Sequence, residues 1–210
     1  MSVLPQLATS LNRRDEVPNT ELAKKIAESH NHAAVKELVS QLYHKDKNIQ
    51  HDCIKVLYET GERNPSLIAP YFNDFLKLLE SRNNRMLWGA MTALDTIALE
   101  KPAATDAALL KIEAAASKGS VIARDHAVNI FIKLCTISRY AEHAFNLLIL
   151  QIQWCPANQL AMYAEKALPL ITGKNKRKFV QAVSGRLPII VKESARKRLK
   201  KILEQCTRIK

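Results

Sequence analysis

The chain has 210 residues, enough for one sizeable core or one elongated repeat domain. Hydrophobic residues make up 47% of it and there are only five Gly and eight Pro, which argues against a turn-rich β-sandwich and leaves the abundant Ala, Leu, Ile, Lys and Glu to favour helix. The net charge is +12, but residues 1–172 hold 19 Lys/Arg against 18 Asp/Glu and residues 173–210 hold 13 against 2, so a polyanionic or acidic partner is expected at the C-terminal end.

No apolar run approaches the ~20 residues of a membrane span. The start, MSVLPQLATSLNRRDE, lacks the basic residues and apolar run of a signal peptide, and a cytoplasmic location is expected. Cys53, Cys135, Cys155 and Cys206 stand alone, which argues against zinc and against a disulfide framework.

In chain order, residues 1–19 read as a lead-in or partial cap carrying Leu4, Leu7 and Leu11, and 20–29 as an extra helix. A repeat follows. NIQHDCIKVLYETGERNP (48–65), RMLWGAMTALDTIALEKP (85–102) and IARDHAVNIFIKLCTISR (122–139) align without gaps at a spacing of 37, and QLAMYAEKALPLITG (159–173) continues them. One column holds Cys53, Ala90, Ala127 and Ala164; a second holds Leu57, Leu94, Phe131 and Leu168; a third holds Thr60, Ile97, Leu134 and Ile171. Steps of four and three put the three columns on one helical face. Second amphipathic segments lie between these inner helices, at 65–81, 102–119, 140–154 and 176–188. Asp46, Asn83 and Ser120 recur just before inner helices as N-caps, and Pro65 and Pro102 open outer ones. Each helix pair is too thin to bury its apolar face alone, so the pairs must stack.

The stretch LLESRNNRMLWGAMTALDTIA (78–98) resembles a HEAT repeat of the armadillo-like α-solenoids: a leucine-rich first helix, a polar turn, then a second helix with small residues before a Leu. Arg124 and Lys192 stand where the family carries its Arg, while Gln50, Leu87 and Ala161 depart from it. The resemblance covers about residues 32–206. It implies an all-α, right-handed superhelical solenoid of about five antiparallel helix pairs, within a single domain over 20–206 and a tail at 207–210. It also implies outer helices on a convex side, inner helices on a concave side, and use as a binding surface or scaffold.

The basic end is a fifth inner helix. VKESARKRLKKI (191–202) places Val191, Ala195, Leu199 and Ile202 where Met86, Ala90, Leu94 and Ile97 stand, and Cys206 extends the stripe. Positions off the stripe then form a candidate binding surface of Lys133, Lys166, Arg196, Lys197, Lys200 and Lys201, joined by Lys174, Lys176, Arg177 and Lys178 from the preceding loop. The competing reading is a solvated terminal cap supported by Glu193–Lys197 and Lys200–Glu204 pairs.

No phosphate-cradling glycine loop is present, His30 and His32 lie two apart and cannot share a helical face as ligands, and no nucleophile sits with a base. No catalytic, cofactor or metal residue is therefore assigned. Trp88 and Asp125 share a column, and aromatic–acidic pairs of this kind resemble those of HEAT-like DNA glycosylases; packing and a helix-dipole role are the stronger expectations. The expected function is a non-enzymatic module binding an acidic protein surface or peptide through its inner helices. The alternative is nucleic-acid binding through the basic C-terminal repeat, directed at phosphates because Phe179 is the lone aromatic in 173–210.

Overall fold

A computed structural model describes residues 2–209. Among them every regular element is helical. The α-helices are α1 (Val17–Glu28), α2 (His32–Ser40), α3 (Lys47–Arg63), α4 (Pro65–Ile68), α5 (Phe72–Leu78), α6 (Asn84–Ile97), α7 (Pro102–Lys118), α8 (Val121–Cys135), α9 (Ala141–Trp154), α10 (Ala157–Ala167), α11 (Lys176–Arg186) and α12 (Glu193–Thr207). The chain divides into two compact units, one ending at Ile130 and the other beginning at Phe131, so the division falls inside α8.

In the first unit α1, α3 and α6 pack side by side as inner helices, with α2 against α3 and the α4–α5 segment against α6. Cys53, Leu57 and Thr60 of α3 and Ala90, Leu94 and Ile97 of α6 are all fully buried, as the 37-residue columns require. The small residues set how close the helices come: a Cβ built on Gly89 would lie 2.7 Å from Ile54 Cγ1 on α3. The caps form as the sequence indicates. Asp46 accepts from the Asn48 amide, Asn83 from Arg85 and Ser120 from Ala123, and Asn31 caps α2 through Ala34.

Several details depart from the sequence reading. The outer segment 65–81 is not one helix: Pro70 has no N–H to donate, and a 3₁₀ turn (Ala69–Tyr71) separates α4 from α5. Pro169 does the same at the end of α10, where Leu168–Leu170 form a 3₁₀ turn and leave Leu168 half-buried. Thr92, opposite the Leu94 column, is buried and donates to the Trp88 carbonyl, because α6 is enclosed on several sides. Residues 3–8 pack rather than trail away: Val3, Leu7 and Ala8 are buried while Leu11 is half exposed. A buried pair fixes them, with Asn19 accepting from the Ala8 amide and donating to Asp52, which also accepts from Thr9.

In the second unit the pattern repeats. α9 packs on α11, α10 on α12, and each outer helix on its following inner one. Arg186, near the end of α11, donates to the Ile152, Gln153 and Cys155 carbonyls, satisfying orphan acceptors at the end of α9.

Candidate binding surface

The second unit carries the whole net charge. Residues 1–130 hold 16 Lys/Arg and 16 Asp/Glu; residues 131–210 hold 16 and 4.

Helix α12 carries four exposed cations, Lys197, Arg198, Lys200 and Lys201. Ala195, Leu199, Ile202 and Cys206 recur at steps of four and three and are buried against α10 and α11. Burial pushes the Cys206 thiol up from its ordinary range. Val191 does not join this stripe: it is 92% exposed, because α12 starts at Glu193 and the preceding backbone turns Ile190 inward instead. With the stripe fixed, Lys197 and Lys201 stand one turn apart on the opposite side.

The ten cations of the sequence analysis fall into two groups. Lys174, Arg177, Lys197, Lys200 and Lys201 are exposed and form no hydrogen bond or ion pair within the described residues. The others are engaged. Lys176 donates to the Ile209 carbonyl, Lys178 to Asn146 and Arg196 to the Ile190 carbonyl. Lys133 and Lys166 also interact with neighbours. Arg177 and Lys178 belong to α11 and Lys178 reaches α9, so these two lie with the outer helices, whereas Lys166, Lys197, Lys200 and Lys201 belong to the inner pair α10–α12. The supporting pairs Glu193–Lys197 and Lys200–Glu204 do not form.

Arg198 escaped the sequence reading. It forms a two-pronged bond with Glu165, tying α12 to α10 across the exposed face. The Arg198 hydrogen bond holds the Glu165 carboxyl below the usual glutamate range. The pair lies 33 residues apart rather than 31, so column alignment alone does not bring the two together. Of the four acidic side chains in this unit, Glu165 is thus already paired.

The inner helices of the first unit are nearly self-neutralised. Lys55 of α3 meets Glu59 at 2.7 Å and Glu16 at 3.2 Å, Arg63 meets Glu59, and Arg85 of α6 meets Glu16. Burial alone would raise the Glu59 carboxyl, but the hydrogen bonds from Lys55 and Arg63 win and hold it below its ordinary value. Trp88 is half-buried with its ring 5.8 Å from that of Tyr58, a packing contact between neighbouring repeats. Asp125 is half-buried and engaged with a neighbour. Asp95, buried on α6, accepts from the Asn129 amide of α8 and lies 2.7 Å from His126 Nδ1, so this polar cluster ties α6 to α8.

Neither a family model nor a curated protein matches the chain. Solved structures do. A designed armadillo repeat protein in complex with the peptide (KR)4 superposes with a TM-score of 0.66 at 17% identity, covering 97% of this chain and 99% of that one. An engineered protein matches with a TM-score of 0.61 at 19% identity, over 98% and 99% of the two chains. A second engineered protein gives 0.55 at 16%, over 99% and 97%. The likeness is one of fold: this chain is an all-α solenoid of stacked helix pairs.

Proposed function

We propose that the chain is a non-catalytic repeat module that binds an acidic protein surface or peptide on the α10–α12 face of its second unit. The observation that carries the reading is the charge partition: 16 Lys/Arg against 4 Asp/Glu in that unit, with Lys197 and Lys200 exposed and outside any ion pair and Lys201 exposed within the field of the Arg198-bound Glu165 carboxylate. An unneutralised row of one sign attracts its opposite from a distance and favours association. Lys166 and the Glu165–Arg198 pair border the row and limit how it can be rearranged. The designed armadillo neighbour was solved with a peptide of alternating Lys and Arg. Peptide binding is therefore a use to which this fold lends itself, and here the exposed charge calls for the opposite sign.

The test is fluorescence anisotropy with labelled (DE)4, (KR)4 and a single-stranded oligonucleotide of eight nucleotides at low and moderate salt. The reading expects saturable, salt-sensitive binding of (DE)4 and none of (KR)4. Oligonucleotide binding with no (DE)4 binding would replace the reading with phosphate recognition.

A further inference from the structure

The second unit has a feature that the lysine row does not use. At the edge where α9 turns into α10 and α11 into α12, a groove of about 290 Å³ is lined by the apolar Ala157, Ile189, Ile190, Val191 and Ala195 and by polar residues that include Lys192 and Arg198. Ile189 is 56% exposed and Val191 92%, and Trp154, three residues before Ala157, is 80% exposed. Two large apolar side chains, Ile189 and Val191, standing in water on one groove are a cost that a monomeric surface ordinarily avoids. The edge is held firmly in place. Arg186 binds the carbonyls of residues 152, 153 and 155, which fixes the end of α9 against the end of α11, and Arg196 binds the Ile190 carbonyl.

The surroundings specify what covers it. Arg186 and Lys192 have no carboxylate partner, and Glu193 is the acidic residue of the α12 first turn. The N-termini of α10 and α12 both open here, at Pro156 and Lys192, and neither has a side-chain cap, unlike α3, α6 and α8 with Asp46, Asn83 and Ser120. Carboxylates brought to these two ends meet free amides, the positive ends of two helix dipoles and the Lys192 ammonium together.

We infer that this edge is a docking site for a short acidic segment of another protein that inserts one or two large apolar side chains between Val191, Ile189 and Ala157. The groove supplies the apolar contact and the rim selects the charge. This site adjoins the lysine row at Arg198, which lines the groove and pairs with Glu165, and the experiment below distinguishes a failure of one from a failure of the other.

The probes are two peptides of equal charge, acetyl-DDELFEDD-amide and acetyl-DDEGSEDD-amide, titrated by isothermal calorimetry. Wild type is expected to prefer the first by about tenfold or more, since full burial of a single Leu or Phe is worth at least that factor. The preference is expected to persist when Lys197, Lys200 and Lys201 are changed to Glu, whatever happens to absolute affinity. It is expected to vanish in Trp154→Ala/Ile189→Ser/Val191→Ser, whose sites are exposed and whose helical circular dichroism should be unchanged. Trp154 emission should shift to the blue on adding the first peptide, and Trp154→Phe should remove that shift. A wild-type preference near one, or a preference that survives the groove substitutions, overturns the inference. So does a concentration-dependent dimer in sedimentation that the groove substitutions dissolve, because a second copy would then be the occupant.

Discussion

Replacing Gly by Ala at two helical positions should move stability in opposite directions. Gly89 lies in the middle of α6 and Gly185 near the end of α11. Helix propensity alone favours Ala at both by about 0.8–1 kcal/mol, less in a last turn. At Gly185 nothing lies within 4 Å of the new methyl, so the propensity gain is realised and Gly185→Ala should stabilise by about 0.5 kcal/mol. At Gly89 the methyl would lie 2.7 Å from Ile54 Cγ1 and 3.2 Å from Cγ2. Both atoms branch from the Ile54 Cβ, and Ile54 is 1% exposed, so no rotamer change clears them and α3 must move from α6. Overpacking of this kind costs about 1–3 kcal/mol, and the net after the propensity gain is about 0–2 kcal/mol of destabilisation. Urea denaturation followed by circular dichroism measures both variants. Ile54→Ala in the Gly89→Ala background should cost less than in wild type by about 1 kcal/mol, the coupling expected of touching residues. If Gly89→Ala stabilises as much as Gly185→Ala, or the two sites do not couple, the close packing of α3 on α6 is wrong.

Leu94→Ala removes a fully buried side chain from the centre of α6 and should cost about 2–5 kcal/mol in the same denaturation assay. Glu59 should shape the acid limb of stability. Its folded pKa lies below the ordinary 4.5, so its contribution is present above that value and is lost as pH falls through the folded pKa; Glu59→Gln should flatten the loss of stability below pH 4.5 in thermal melts. Cys53 and Cys135, pushed up to about 12 by burial, should react with a thiol reagent at neutral pH only as the protein opens, so their labelling rates should track denaturant concentration.

Much of the architecture was legible because a helix that must bury one face repeats its small and large residues in register. Ala90, Leu94 and Ile97, with the Asp46, Asn83 and Ser120 caps, located three inner helices and their starts. The last inner helix was legible from Ala195, Leu199 and Ile202, but its first turn was not. Periodicity cannot tell whether Val191 begins a helix or precedes one, and here a 3₁₀ turn at Leu187–Ile189 delays the start. Pro70, inside the 65–81 segment, breaks the helix there, and the apolar pattern running through it masks that break. At the basic surface, residue type gave the charge but not its availability. Whether Lys176, Lys178 or Arg196 is free depends on a carbonyl or amide brought up by a different element, such as Ile209 for Lys176 and Asn146 for Lys178. The exposed Trp154 edge was invisible for the same reason: an apolar residue at a helix end reads as core until the fold leaves it uncovered.

The most direct test of the central claim is a charge swap. The (DE)4 and (KR)4 affinities of wild type are compared by anisotropy with those of Lys197→Glu/Lys200→Glu/Lys201→Glu. These positions lie off the buried stripe, so the variant should fold with unchanged helical circular dichroism and similar stability. If the α10–α12 face recognises an acidic partner by charge, the variant should lose (DE)4 binding by about tenfold or more and gain measurable affinity for (KR)4. A correctly folded variant that still binds (DE)4 as tightly as wild type would contradict the account.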